Sequence, residues 1–598
     1  MKKHIIEYLS VLVILPTLCG CTDFLSTRSD STMVRETFYK TESDLEMALT
    51  GSYSNLTSGH NMGTYAKGIQ ILGEVGTDEA FTSGDREVNA LPLDIYSTLN
   101  SSNTIIGKFW TNAYAAINRN NEILAAAPNI EDATERLDGI VGETEFLQAL
   151  WYFNLVRNFG GVPLKTEPSS CSDEFVKVPR DPVSTIYKYI MGLLEDAVEK
   201  LPDTEYGSEI GRADKYAAMG LLAKVYLQAA SSMQLLQPTL TEDIKLEGIN
   251  SYEWTDENDD GTPLTVEETI RYYYTKAAEY AKATIDYYGG EQCLELGNLV
   301  GEFYPVESTR DVLFEAVFSQ GMSPNQGSEF CYLFGPGGSV NEGGGWNIIA
   351  PINCVVIPNY TCRYNSSTKT WSSNDRRFLW SLSTYKYTDA TGPAVILSGA
   401  NPGSICKQIR INKFHSDRSN LPPHSLGTGV NNPILRLSEV CLIAAEALGE
   451  LSYMESGTIS EEALDYLNIV RRNAGVAEYG MEEVRHAEPI ELHQAFNKLV
   501  LANREIKGYT TTTDIEHWRR TLLNERMMEL LGEGHRWYDL VRLGLLKPIV
   551  EGVTAFAGHG NPKVYMDRKM ENFHVFRPIP LREMQVHQGY LVQNYGYF

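Results

Sequence analysis

The stretch that decides the fold runs from Gly142 to Leu164. It reads Gly142-Glu143-Thr144-Glu145-Phe146-Leu147, then Leu150-Trp151-Tyr152-Phe153-Asn154-Leu155-Val156, then Phe159-Gly160-Gly161-Val162-Pro163-Leu164. Phe146, Leu147, Leu150, Trp151, Phe153 and Val156 recur at steps of three and four, which gives a helix over Glu143–Phe159 a broad apolar face. Gly160-Gly161-Val162-Pro163 stops it, since proline has no N–H to donate and clashes with the preceding turn. A face this wide must be covered on several sides, so other helices have to pack on it.

Those helices are legible on either side. Phe109–Ala127 carries Ala113, Ala116, Ile117 and Leu124 near the helical period and is stopped by Pro128; Val183–Leu201 is stopped by Pro202; Arg212–Ala230 follows. A second helical block holds Leu435–Leu448, Glu461–Asn473 and Trp518–Val541, with Gly475 and Gly544 just past helix ends. Met219, Leu222, Ala223 and Tyr226 stand at the offsets of the first helix of a tetratricopeptide unit, and Ala463, Leu467 and Val470 at those of its second. Small residues at such points let two helix backbones approach closely. Insertions such as Gln237–Glu267 break any 34-residue period, so degenerate helix pairs are expected rather than a regular solenoid.

Between the blocks, over Phe303–Pro433, helical periodicity fades. Gly335-Pro336-Gly337-Gly338 and Gly343-Gly344-Gly345 punctuate a stretch dense in aromatics: Tyr304, Phe330, Tyr332, Phe334, Trp346, Tyr360, Tyr364 and Trp371. The glycines are not a phosphate loop, because no Gly-Lys-Ser/Thr follows them. A second loop-like stretch, Glu79–Asn103, carries Arg86, Asn89, Tyr96 and Asn100. Irregular, aromatic-bearing segments on a rigid scaffold are where binding surfaces concentrate.

Composition removes several function classes. The 598 residues hold 51 Lys+Arg against 77 Asp+Glu, a net charge of −26, which argues against a protein that tracks nucleic-acid phosphates. Tyrosines number 34, phenylalanines 20 and tryptophans 8, too many for a disordered chain. Past the first twenty positions no apolar run reaches the ~20 residues a membrane-spanning helix needs.

The first positions, Met1-Lys2-Lys3, Val11-Leu12-Val13-Ile14-Leu15 and Leu18-Cys19-Gly20-Cys21, read as an export signal over residues 1–20. Leu-x-Gly-Cys resembles the bacterial lipobox, which makes Cys21 the lipidated first residue of a protein anchored to a membrane without spanning it. Of nine cysteines, seven then remain; Cys331, Cys354, Cys362 and Cys406 share one region and could cross-link, with connectivity unreadable. No C-x-x-C or H-E-x-x-H occurs, so no metal site and no cofactor is expected.

Taken in order, these segments resemble the SusD/RagB family, the surface glycan-binding lipoproteins of Bacteroidetes. The resemblance rests on Gly142–Val156 with Phe159–Leu164, on Arg212-Ala213-Asp214-Lys215-Tyr216 with Leu222–Leu227, and on Leu435-Arg436-Leu437-Ser438-Glu439 with Arg471-Arg472-Asn473-Ala474-Gly475. It continues in Glu525-Arg526-Met527-Met528-Glu529-Leu530, Glu533-Gly534-His535-Arg536-Trp537-Tyr538-Asp539 and, at the end, Pro578-Ile579-Pro580 with Gln593-Asn594-Tyr595-Gly596-Tyr597. Tyr595 stands where the family usually has Pro.

The resemblance implies a mostly α SusD-like fold, with degenerate tetratricopeptide-type pairs as scaffold and a loop-rich ligand-binding region. One domain is expected over 21–598, made of an N-terminal helical part (21–302), a loop-rich insert (303–433) and a C-terminal helical part (434–598). It further implies a non-catalytic, lipid-anchored protein on the outer face of the outer membrane. Such a protein captures oligo- or polysaccharide and passes it to a SusC-like TonB-dependent transporter. Sugars offer apolar C–H faces ringed by hydroxyls, so flat aromatics supply contact and Asn or Arg supply orientation. The expected ligand-binding residues are Arg86, Asn89 and Tyr96 from the first irregular region, and Tyr332, Trp346 and Trp371 from the second. Trp110, Trp151 and Trp537, on helical faces, are expected in the core.

Two other readings compete, a peptide-binding tetratricopeptide scaffold and a polysaccharide-degrading enzyme. Glu525, Glu529 and Glu533, at i, i+4 and i+8, are the carboxylates an enzyme would use. With Arg526 and Arg536 nearby and no nameable partner nucleophile, they read as structural ion pairs, and His535 as a helix-surface or packing histidine.

Overall fold

The computed structural model describes residues 38–57, 64–82, 87–131, 133–169, 177–294, 311–319, 327–334, 348–352, 355–356, 359–360, 362–365, 370–383, 410–411, 413–414, 429–485, 511–554, 567–587 and 589–597. The leader, Cys21, Cys354 and Cys406 lie outside them.

Helices dominate. The principal ones are α1 (Glu42–Thr57), α2 (Ile69–Glu74), α3 (Thr104–Ala126), α4 (Glu135–Phe159), α5 (Val183–Lys200), α6 (Lys215–Ser231), α7 (Val266–Tyr287), α8 (Leu437–Ser456), α9 (Glu461–Ala474), α10 (Asp514–Leu530) and α11 (Arg536–Arg542). They pack in sequence, α3 on α4, α4 on α5, α5 on α6, α6 on α7, α7 on α8 and α8 on α9, while α1 lies across α3 and α4. Nearly all of α4 from Gly142 to Phe159 is buried, as its wide apolar face requires. Small residues sit at the crossings: a Cβ on Gly220 of α6 would meet Leu435, Leu313 and Val440, and one on Gly449 of α8 would run into the Trp518 indole. Among the described residues the main hydrophobic core runs from Leu45 to Leu591 and holds Trp110, Trp151 and Trp537, and a small second cluster joins Phe81, Ala350, Ile352 and Val553. No helix among them is long and apolar enough to cross a membrane.

Three local readings change. The expected helix over Trp518–Val541 is two, α10 and α11, broken where Gly532 and Gly534 take φ of +83° and +85°. The stretch Gln237–Glu267 is an insertion, but it opens into the long helix α7, whose Thr265 and Glu268 form a reciprocal capping box. Leu435 and Arg436 belong to a strand, and α8 starts only at Leu437.

Short antiparallel ladders occupy the middle of the chain: β1 (Ala80–Thr82) with β3 (Ile349–Pro351), β2 (Val312–Ala316) with β8 (Asn432–Arg436), β4 (Cys362–Asn365) with β5 (Thr370–Ser373), and β6 (Leu382–Ser383) with β7 (Arg410–Ile411). The β2–β8 ladder draws the start and end of the loop-rich insert together against the helical scaffold.

Candidate ligand-binding site

The glutamates of the sequence motifs are all paired, in part with basic residues outside those motifs, while Arg526 pairs with Asp539 and Arg536 with Asp78. Glu143 of α4 takes Arg212 at 2.9 Å and Arg136 at 2.8 Å. Glu525 pairs with Arg377 at 2.7 Å and Arg471 at 2.8 Å. Glu529 pairs with Arg377 at 3.2 Å and Arg436 at 3.1 Å. Glu533 pairs with Lys413 at 2.7 Å and Arg436 at 2.9 Å. All three carboxylates of the α10 row are buried, so the row is a ladder of ion pairs joining the insert (Arg377, Lys413) to the C-terminal helices, with no face open to a sugar. Burial raises the Glu529 carboxyl, but Arg436, Arg377 and Lys413 overcome it and hold the group down to about 2. His535 is buried with Nδ1 3.3 Å from Glu439; burial and then the Lys224 ammonium push its pKa well down, so it is a neutral packing group. At the chain end, Asn594 donates to the carbonyls of Phe159 at 2.9 Å and Arg577 at 2.7 Å, which ties the last motif to the turn after α4. Among the described residues no group of three or more His, Cys, Asp or Glu is placed to hold a metal ion.

The two irregular regions meet. In the β1–β3 ladder Thr82 faces Ile349 and Ala80 faces Pro351, so the chain leaving β1 and the chain entering β3 stand at the same end of the ladder. Glu79 extends the contact, its carbonyl accepting from the Ile352 N–H at 2.6 Å. A second clasp is Lys67, on the buried π-helical turn Thr64–Gly68. Its ammonium lies 3.1 Å from Glu87 of the first region and 3.4 Å from Glu329 of the second. The Glu329 N–H also donates to the Ala66 carbonyl at 3.2 Å. Sequence reading missed Lys67; a lone lysine between Ala and Gly carries no signal until both acidic partners are beside it.

The expected site residues fare differently. Arg86 and Trp346 lie outside the described residues; by position they follow Thr82 and precede Ile349. Tyr332 sits in the short helix Phe330–Phe334 and Trp371 in β5, opposite Tyr364, with side chains outside the description. Asn89 is half-buried; its amide reaches Glu87 only at 3.5 Å, while its carbonyl accepts from Asn103, the cap of α3. Tyr96 corrects the expectation of an exposed platform. It is 3% exposed, its hydroxyl donates to the Gly76 carbonyl at 2.8 Å, and its ring packs 5.1 Å from that of His574. Buried and bonded in this way, Tyr96 braces the loop and offers no face to a ligand.

A helical scaffold that spends its motif charges on packing, and gathers two irregular segments on one ladder, is the build of a binding protein. A family model described as "SusD family" matches residues 315–597, and one described as "Starch-binding associating with outer membrane" matches residues 23–227. The chain belongs to the SusD/RagB family, an outer-membrane-associated family of carbohydrate-binding proteins rather than enzymes. It is 24% identical to "SusD-like protein P2" of Formosa agariphila over the whole of both chains. Among solved structures, a SusD homolog from Bacteroides thetaiotaomicron matches with a TM-score of 0.68 at 21% identity, covering 94% of this chain and 98% of that one. A "Laminarin binding SusD-like protein" matches with a TM-score of 0.61 at 20% identity, covering 94% and 100%. Surface glycan-binding protein A from Bacteroides thetaiotaomicron, in complex with laminarihexaose, matches with a TM-score of 0.61 at 16% identity, covering 93% and 100%. At these identities the structural likeness establishes the fold.

Proposed function

We propose that this protein is a surface glycan-binding lipoprotein, tethered through an acylated Cys21, that captures oligo- or polysaccharide and delivers it to a SusC-like TonB-dependent transporter. Residues 21–598 act as one domain, and the ligand site is built by the segments after β1 and before β3. The convergence of those segments on the β1–β3 ladder and on Lys67 carries this reading. Arg86, Asn89, Tyr332, Trp346 and Trp371 remain the proposed contacts, with Tyr96 withdrawn to a bracing role. A neutral β-glucan is the first ligand to try: two structural relatives are described with laminarin or laminarihexaose, and a net charge of −26 repels polyanionic glycans. Tethering beside a transporter raises local concentration, so the site need not be tight.

The test is calorimetric titration of a glycan panel, laminarihexaose included, into protein lacking residues 1–21, repeated with Trp346→Ala and Tyr332→Ala. The expected result is binding that either substitution weakens while the melting midpoint stays put. Binding indifferent to both would overturn the site, and turnover of oligosaccharide by the purified protein would overturn the non-catalytic reading. Mass spectrometry of the mature N-terminus checks Cys21 for acyl chains.

A further inference from the structure

Two buried thiols meet where the loop-rich insert joins the scaffold. Cys293 follows the 3-10 turn Gly290–Gln292 at the end of α7, and Cys441 lies in the second turn of α8. Their sulfurs are 3.7 Å apart, both free and fully buried. Nearby the two ends of the insert are hydrogen-bonded together: β2 pairs with β8, the Leu437 N–H donates to the Asp311 carbonyl at 2.8 Å, and the Phe318 N–H donates to Asn431 Oδ1 at 2.9 Å. The insert lies between the two cysteines, with Tyr332, Trp346 and Trp371 inside it.

We propose that Cys293 and Cys441 form a disulfide that closes the neck of the insert and makes the ligand-bearing stretch a covalent loop. A disulfide needs sulfurs at about 2.05 Å, so each must swing by under an ångström, within reach of a side-chain rotation. Either cysteine can open the exchange, and the bonds made and broken are the same from Cys293 or from Cys441. The oxidant is a disulfide-bearing thiol oxidoreductase outside the cytoplasm, a compartment that follows from outer-membrane association. The Cys293 thiolate attacks one sulfur of the oxidant's disulfide and expels the other as a thiolate. The Cys441 thiolate then attacks Cys293 Sγ and releases, as a thiolate, the oxidant sulfur that Cys293 had bonded to. The two cysteines lose two electrons, and their protons end on the oxidant's dithiol. Because both thiols are fully buried, exchange takes place before the neck finally packs.

The inference rests on the compartment and not on the ligand, so its test needs no glycan. Full mature protein is isolated from outer membranes without reductant, denatured, alkylated and digested for peptide mapping. The expected result is one species joining the Cys293 and Cys441 peptides, lighter than their sum by two hydrogens and separated by dithiothreitol. A second measurement nicks the insert with trypsin. The fragments bearing Cys293 and Cys441 stay together on a denaturing gel until reduced, and come apart without reductant in Cys293→Ser. Alkylation of both cysteines without prior reduction, or their recovery joined to other cysteines, overturns the proposal whatever the serine variant does.

Discussion

Glu529 and Glu315 are both buried carboxyls, and their neighbours send them opposite ways. Glu529 is held down to about 2 by Arg436, Arg377 and Lys413 against its burial. Glu315, in β2, is raised to about 7 by burial, eased only by Asn431, and its Oε1 has no hydrogen-bond partner. For Glu529 the folded value lies below the unfolded one, so its stabilisation is complete above about pH 4.5 and is lost as pH falls toward 2. Glu529→Ala leaves two buried guanidiniums short of a partner and costs about 3–5 kcal/mol. Denaturant titration at pH 7 checks this, and repeating it at pH 3 narrows the gap to wild type. For Glu315 the sign reverses: stability is complete below about pH 4.5 and lost as pH rises through about 7. Glu315→Gln therefore matches wild type near pH 4.5 and is more stable by about 1–3 kcal/mol at pH 8. Equal stabilities at pH 8 would show that the carboxyl is ionised at no cost. Tyr96 shows why single residues were the least legible scale. Its partners Gly76 and His574 are 20 and 478 positions away, and local sequence gives no hint that the ring points inward.

At the scale of elements, the ladder and the lysine clasp do the work of bringing the candidate regions together. Lys67→Ala removes the cation shared by Glu87 and Glu329 while the β1–β3 hydrogen bonds stay. The expected outcome is glycan affinity lowered about tenfold, roughly 1.4 kcal/mol, with a melting midpoint near that of wild type. Titration calorimetry beside a thermal melt separates the two, and unchanged affinity would remove Lys67 from the site. Helix existence was readable from periodicity because burial of one face imposes it. Helix ends were readable where a proline or a capping glycine stands, as at Pro128 and Gly475. They failed between Trp518 and Val541, since the apolar pattern continues through a turn whose two glycines adopt positive φ. The strand pairs β1–β3 and β2–β8 were invisible, because three- to five-residue strands buried on all sides lack alternation.

Across the whole molecule the N-terminal and C-terminal helical parts share one core, with α6 and α7 packed directly on α8. The mature protein is therefore expected to melt in one main calorimetric transition, and a fragment ending at residue 302 to remain unfolded, as it would expose the faces that α8 covers. Two well-separated transitions would contradict this. The sequence by itself determined the helical class, the two-block organisation, the structural role of the α10 carboxylate row and the family, because these follow from local periodicity and from motifs in fixed order. Only the tertiary structure decided which irregular segments stand side by side, that Tyr96 is a brace, that Lys67 is a clasp and that Cys293 faces Cys441. Those facts depend on contacts between residues tens to hundreds of positions apart, and no local pattern of side chains encodes such a distance.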